Sequence, residues 1–169
     1  MEADVANVTD KDATHILAAD HREVERLFAA YEKAGDSAKK KMLAEQICTE
    51  LKIHSQIEEE IFYPALDGKI DEDLLKEAYV EHDGAKMLIN EIVAGGPDEA
   101  FYDAKVTVLQ EQIEHHVEEE EKIRGNMFQQ ARAADVDLEA IGEQLLTRKQ
   151  QLKKLAETEG LPPAELATM

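Results

Sequence analysis

Residues 113–121 read IEHHVEEEE, two adjacent histidines followed by four glutamates. Neighbours on a helix point about 100° apart, so at most one of His115 and His116 can face a core squarely. The flanking sequence decides which. A bundle-core stripe alternates steps of three and four residues, and Val106, Leu109, Ile113, His116, Glu120, Ile123 and Met127 keep that rhythm. His116 and Glu120 therefore continue an apolar seam. His115 shares its face with Glu111, Glu119 and Lys122 and reads as solvent-facing, with Glu118, Glu119 and Glu121 as a solvated acidic surface.

The same stripe recurs along the chain. It gives Leu17, His21, Val24, Phe28 and Tyr31 in a helix over 11–33, with Asp10 or Asp12 as its cap. A second helix over 38–65 carries Ala44, Ile47, Leu51, His54, Glu58, Ile61 and Ala65 and stops at Pro64 and the nearby DGK. A third over 71–94 carries Leu75, Ala78, His82, Ala85, Ile89 and Ile92 and ends at AGGP. The fourth runs over 98–131 and opens on Pro97, Asp98 and Glu99, which suit a helix N-terminus. Period-2 alternation is almost absent. The expected fold is all-α, an antiparallel up-down four-helix bundle with an additional C-terminal helix. The expected division is a bundle over 1–134 and an amphipathic helix with its tail over 135–169. In the latter, Leu138, Ile141, Leu145, Leu152 and Leu155 are spaced to pack across the bundle or to form a homodimer contact.

Composition excludes several classes. At 43% apolar and 34% charged residues the chain is of soluble globular type, and no apolar run approaches the roughly 18 residues of a membrane helix. A net charge of −19 repels nucleic-acid phosphates and anionic membranes, so neither is an expected partner. The acidic start MEADVANVTDKDATH lacks the apolar core of a signal peptide, which favours the cytoplasm. The single cysteine, Cys48, precludes an internal disulfide framework and reads as buried filler.

Each of the four helices thus places one histidine on its core face, and two add a glutamate four residues later. His15 lines up with Arg22 and Arg26, off the seam, and reads as a surface residue. Burying one unpaired ionisable group costs several kcal/mol. The six groups could satisfy one another as ion pairs. A metal centre with neutral imidazole and carboxylate ligands does so more completely.

These residues resemble the bacterial hemerythrin-like, or HHE cation-binding, domains and their pattern H…HxxxE…H…HxxxE. Here the pattern reads His21 in AADHREVERLFAAYEKA, His54 and Glu58 in HSQIEEEIFYPAL, His82 in VEHDGAKMLI, and His116 and Glu120 in HHVEEEEKI. The resemblance covers residues 11–131. It implies a non-haem centre of two iron ions, oxo- or hydroxo-bridged, with Glu58 and Glu120 spanning the metals and His21, His54, His82 and His116 completing them. Zinc or manganese would also accept such ligands. The Glu-x-x-His spacing of ferritin-like bundles is absent, as is the HExxH of zinc proteases.

Two departures stand out. Oxygen-carrying hemerythrins have a further histidine four residues after the helix-3 ligand, where this chain has Lys86. With two histidines per metal, room remains for water, O2, NO or peroxide, and reversible oxygen transport is in doubt. After Glu120 the chain continues as EKIRGNMFQQAR without a proline, which is expected to lengthen or kink helix 4. Small Gly84 and Ala85 allow close packing or a pocket beside the centre, and Tyr63 is expected in the core or at its rim. The expected activity is binding, sensing or scavenging of O2, NO or peroxide. A catalase- or peroxidase-like enzyme and an iron storage or homeostasis protein are the alternatives.

Overall fold

A computed structural model describes residues 11–169 and is an antiparallel up-down bundle. Helix α1 spans Ala13–Lys33 and α2 spans Ser37–Ile57, which passes through a π-helical turn at Glu58–Phe62 and closes with Tyr63–Leu66. Helix α3 spans Glu72–Ala94. Helix α4 spans Tyr102–Val117 and ends in a second π-helical turn, Glu118–Lys122. Short α5, Met127–Ala133, and long α6, Leu138–Thr158, complete the helices. No strand occurs among the described residues.

Local chemistry sets the boundaries. Asp12, Asp36, Asp71, Asn126 and Asp137 each accept a backbone N–H of the first turn they precede, satisfying donors that a helix start leaves unpaired. The alternative cap Asp10 lies outside the described residues. The fourth helix begins at Tyr102 rather than 98, because residues 97–101 form a turn.

The core has two apolar halves. One contains Leu17, Ile57, Phe62, Leu66, Phe128 and Leu145; the other contains Val24, Phe28, Leu51, Ile89 and Leu109. In α1, Leu17 belongs to the first half, Val24 to the second, and His21 lies between them. The polar residues of the seam thus form a layer held between two hydrophobic plugs.

The π turns account for where the sequence-based stripe fails. Each adds one residue to a turn, rotating the downstream residues by roughly 100°. Ile61 and Ala65 are consequently only partly buried, and Phe62, Tyr63 and Leu66 take the core positions at 0% exposure. At the second π turn the chain leaves helical geometry: Ile123 donates its N–H to Glu118 O at 2.9 Å, has extended backbone and is 46% exposed. Helix 4 is therefore neither lengthened nor kinked; it stops at Lys122. Gly125 turns the chain at φ 75°, and α5 returns Met127 and Phe128 to the core.

Helix α6 packs on α1 and α2, with Ile141, Leu145 and Leu152 buried among the described residues. A Cβ at Gly142 would lie 1.8 Å from Lys11 O, so only glycine permits this approach to the start of α1. Beyond it, residues 161–169 run back across α2 and α3 without regular structure.

The π-turn register is testable by denaturation. Phe62→Ala should cost about 3–5 kcal/mol, whereas neighbouring Ile61→Ala should cost about 1 kcal/mol. Similar losses from both would contradict the rotated register.

Candidate metal centre

The polar layer brings together His21 of α1, His54 and Glu58 of α2, His82 of α3, and His116 and Glu120 of α4. All six are buried, both glutamates fully. The histidines pair across helices, with His21 Nε2 and His54 Nε2 3.2 Å apart and His82 Nε2 and His116 Nε2 also 3.2 Å apart. Each glutamate reaches both pairs. Glu58 Oε1 lies 3.2 Å from His54 Nε2 and 3.1 Å from His82 Nε2. Glu120 Oε1 lies 3.2 Å from His21 Nε2, and its Oε2 lies 3.2 Å from His116 Nε2.

The outer ring nitrogens face carboxylates. His54 Nδ1 is 2.9 Å from Asp20, His82 Nδ1 is 2.7 Å from Glu59, and His116 Nδ1 is 2.7 Å from Glu81. His21 Nδ1 lies 3.4 Å from Glu121 Oε1. A carboxylate at Nδ1 favours the tautomer with its proton there, which leaves the Nε2 lone pair free to face the centre. The supports cross between helices: the acid before the α1 histidine serves the α2 histidine, and the acid before the α3 histidine serves the α4 histidine. The acids immediately after Glu58 and Glu120 serve the histidines of α3 and α1.

A family model described as the hemerythrin HHE cation binding domain matches residues 12–128. The chain belongs to this family. It is similar to a protein of Nostoc sp. (strain PCC 7120 / SAG 25.82 / UTEX 2576) named DNA nickase, at 28% identity over 123 residues that cover 70% of this chain. The match covers 35% of that relative, so the chain spans about a third of its length. In fold it is similar to the crystal structure of a hemerythrin HHE cation binding domain-containing protein from Mycobacterium kansasii, with a TM-score of 0.71 at 24% identity. That likeness covers 89% of this chain and 94% of the other.

The chemistry of this HHE domain's donor set fits metal cations, which the family binds. His21, His54 and Glu120 present ligand atoms all within 4.8 Å of one another, and so do Glu58, His82 and His116. Both oxygens of Glu58 and Oε1 of Glu120 are buried without a hydrogen-bond partner. Tyr63 Oη, which donates to Glu120 Oε2 at 2.7 Å, is the hydroxyl within the group and lies 3.2 Å from both His82 Nε2 and His116 Nε2. Lone pairs converging in this way require a cation, whether protons or a metal.

Protons fill that role when no metal does. Burial disfavours the imidazolium of His54, but Glu58 and Asp20 outweigh it and hold its pKa well above the ordinary 6.5. His116 is raised in the same way against burial by Glu120, Glu58 and Glu81, and His21 by Glu120 and Glu121. Burial pushes the Glu58 carboxyl up, yet the surrounding histidines bring it well below 4.5. Glu120 is pushed up by burial and by Glu58, and His116 and His21 bring it down. Burial and the two glutamates push the Tyr63 phenol well up, so it remains a donor.

Several residues differ from the sequence reading. Glu121 is turned inward, its side chain 12% exposed, and also pairs with Arg22; the π turn carries it there. Tyr63, expected in the core or at its rim, is fully buried in the core and reaches Glu120. His15 is half-buried, with its Nδ1 enclosed and unpartnered among the described residues. His115 is solvent-facing as expected, with its side chain 62% exposed between Glu81 and Glu119. Cys48 is buried, and burial pushes its thiol up to about 12. The supporting Asp20, Glu59 and Glu81 were missed. Their signal was an acid directly beside an inward histidine or glutamate.

These shifts fix the sign of the pH dependence. Raised histidine values stabilise the metal-free fold fully below 6.5, and that contribution is lost as pH rises through the folded values. Lowered glutamate values stabilise it above 4.5 and are lost as pH falls. Metal-stripped protein should therefore melt highest between pH 4.5 and 6.5 and lower as pH rises further. The extra stability conferred by added metal should grow over that same rise, because metal displaces protons from its ligands. Calorimetry of stripped and loaded protein checks this; a stripped protein that becomes more stable above pH 6.5 contradicts it.

Proposed function

We propose that the chain holds two iron ions, one at His21 and His54 and one at His82 and His116, with Glu58 and Glu120 spanning them, and that it binds O2, NO or peroxide there. The observation that carries this reading is the convergence of inward Nε2 lone pairs and carboxylates, with each outer nitrogen facing an acid. Two histidines per metal leave positions for water or an exogenous ligand. Iron supplies the redox chemistry with oxygen species that zinc lacks.

The chain's own residues limit what can bind. A cavity of about 30 Å³ adjoins all four histidines, walled by Val24, Leu51, Ala85, Ile89, Ile113 and Val117. That volume suits one or two atoms of ligand rather than an organic substrate. Ala85 makes room for it, whereas a Cβ at Gly84 would meet only Gln112, at 3.7 Å. Lys86 also lines this cavity, and its ammonium is committed to Glu59 at 2.8 Å rather than to the centre.

Peroxide consumption is the second reading, favoured by Tyr63. Its hydroxyl touches Glu120 and lies beside two ligand histidines, placed to pass a proton to or from a bound oxygen species. Nicking of DNA, the activity in the name of the Nostoc relative, is not proposed for this chain. A net charge of −19 opposes contact with phosphate backbones. No described helix is long and apolar enough to cross a membrane, and a reducing cytoplasm is the proposed setting.

Anaerobic loading with iron(II) should yield two irons per chain and a visible-range absorption change on adding O2, NO or peroxide. Tyr63→Phe should retain both irons yet slow peroxide decay about ten-fold or more if the second reading holds. Loaded protein with no optical response to any of the three would overturn the gas- and peroxide-binding reading.

A further inference from the structure

The chain beyond the family match carries a feature tied closely to the centre. Residues 161–168 lie extended over α3, and their backbone is held by side chains at positions 83, 86 and 90, one face of that helix. Ala167 and Thr168 donate their N–H groups to Asp83 at 2.7 and 2.8 Å, and the Thr168 hydroxyl donates to the same carboxylate at 2.5 Å. Lys86 Nζ donates to Glu165 O at 2.7 Å. Asn90 and Ala164 exchange two hydrogen bonds, at 2.9 and 3.0 Å, in the manner of a strand pair. From α2, Lys52 Nζ donates to Pro162 O at 3.1 Å.

These anchors are committed to the tail. Asp83 is 1% exposed and Lys86 4%, and a buried ionised group needs its partners. The segment has no helix or sheet of its own among the described residues, so its backbone is satisfied chiefly by the bundle. A cavity of about 420 Å³ lies beneath it, lined from the bundle side by Lys52, Ser55, Glu59 and Lys86. Ser55 and Lys86 also line the small cavity at the four histidines. Ser55 and Lys86 thus stand between the two cavities, and the tail forms the outer wall of the larger one.

We propose that residues 162–168 are a gate. Seated on Asp83, Lys86 and Asn90, they close the route past Ser55 and Lys86 to the histidine-lined cavity; lifted, they admit solutes larger than a diatomic molecule. The gate's purpose rests on the metal-site reading, but its mechanics do not. Lys86 thereby gains a role: one ammonium holds both the strap, through Glu165 O, and Glu59, the carboxylate at His82 Nδ1.

Full-length Ala164→Pro/Ala167→Pro protein tests this, because proline removes two of the donated N–H groups and leaves every bundle residue intact. Thr168→Val is a milder second variant. In metal-free protein, acylation of His54, His82 and His116 by diethyl pyrocarbonate, read by peptide mass, should be about ten-fold faster in the double variant. Thr168→Val should lie between it and the wild type. In iron-loaded protein, removal of metal by bipyridine should accelerate similarly, and melting temperatures should stay within a few degrees. Amide exchange at Thr168 reports release of the segment in the double variant, and unchanged acylation rates with that protection lost would overturn the gate. Wild-type protein that retains no iron would count against the metal reading, while the acylation arm still decides the gate.

Discussion

Acceptors facing acceptors, buried between two apolar plugs, constitute the constraint on which this bundle depends. Nε2 atoms 3.2 Å apart repel through their lone pairs unless a proton or a metal lies between them. The adjacent carboxylates of Glu58 and Glu120 add negative charge in a region that water does not reach. Four helices must therefore close around a positive charge. The layer links all four, since Glu58 reaches histidines of α2 and α3 and Glu120 reaches histidines of α1 and α4. The hydrophobic halves above and below set the depth at which this happens, and the cation then sets the spacing.

The arrangement repeats itself with approximate twofold symmetry along the chain. Asp20–His21 followed by His54, Glu58 and Glu59 corresponds to Glu81–His82 followed by His116, Glu120 and Glu121. Each half ends in a π turn that begins at the glutamate or two residues before it. The extra residue carries two successive acids toward the interior. The first meets the inner nitrogens, and the second faces the outer nitrogen of a histidine on another helix. Local irregularity of this kind is common where a helix serves a site rather than only a core. It also brings Tyr63 under Glu120.

The bundle and the six inward residues were legible because both rest on periodicity, which each residue reports independently. His116 and Glu120 continue the seam of Leu109 and Ile113, and His115 does not. The register after Glu58 and Glu120 was not legible. A π turn is a response to the assembled site, and EEEIFYPAL has no local mark that distinguishes it from a regular helix. For the same reason Ile61, Ala65 and Ile123 were placed inward and Glu121 outward. The role of Lys86 was likewise hidden, since its partners lie 79 residues away at Glu165 and 27 away at Glu59. Helix α6 and the tail were readable as an amphipathic segment. Their attachment depends on Gly142, Asp83 and Asn90, whose contacts are long-range.

The same physical economy extends to the C-terminal segment. Helix α6 closes one apolar half and places Lys149 against Asp20, the acid facing His54. The tail engages the acid facing His82 through Lys86. Both segments lie outside the matched family region, yet each bears on a carboxylate that faces a histidine of the layer. Anomalous diffraction from crystals of iron-loaded protein tests the central claim most directly. The account predicts two peaks about 3.5–4 Å apart, one at His21 and His54 and one at His82 and His116, with Glu58 and Glu120 between them. Iron found only at the cluster of Glu81, His115 and Glu119, or none within the layer, would contradict it.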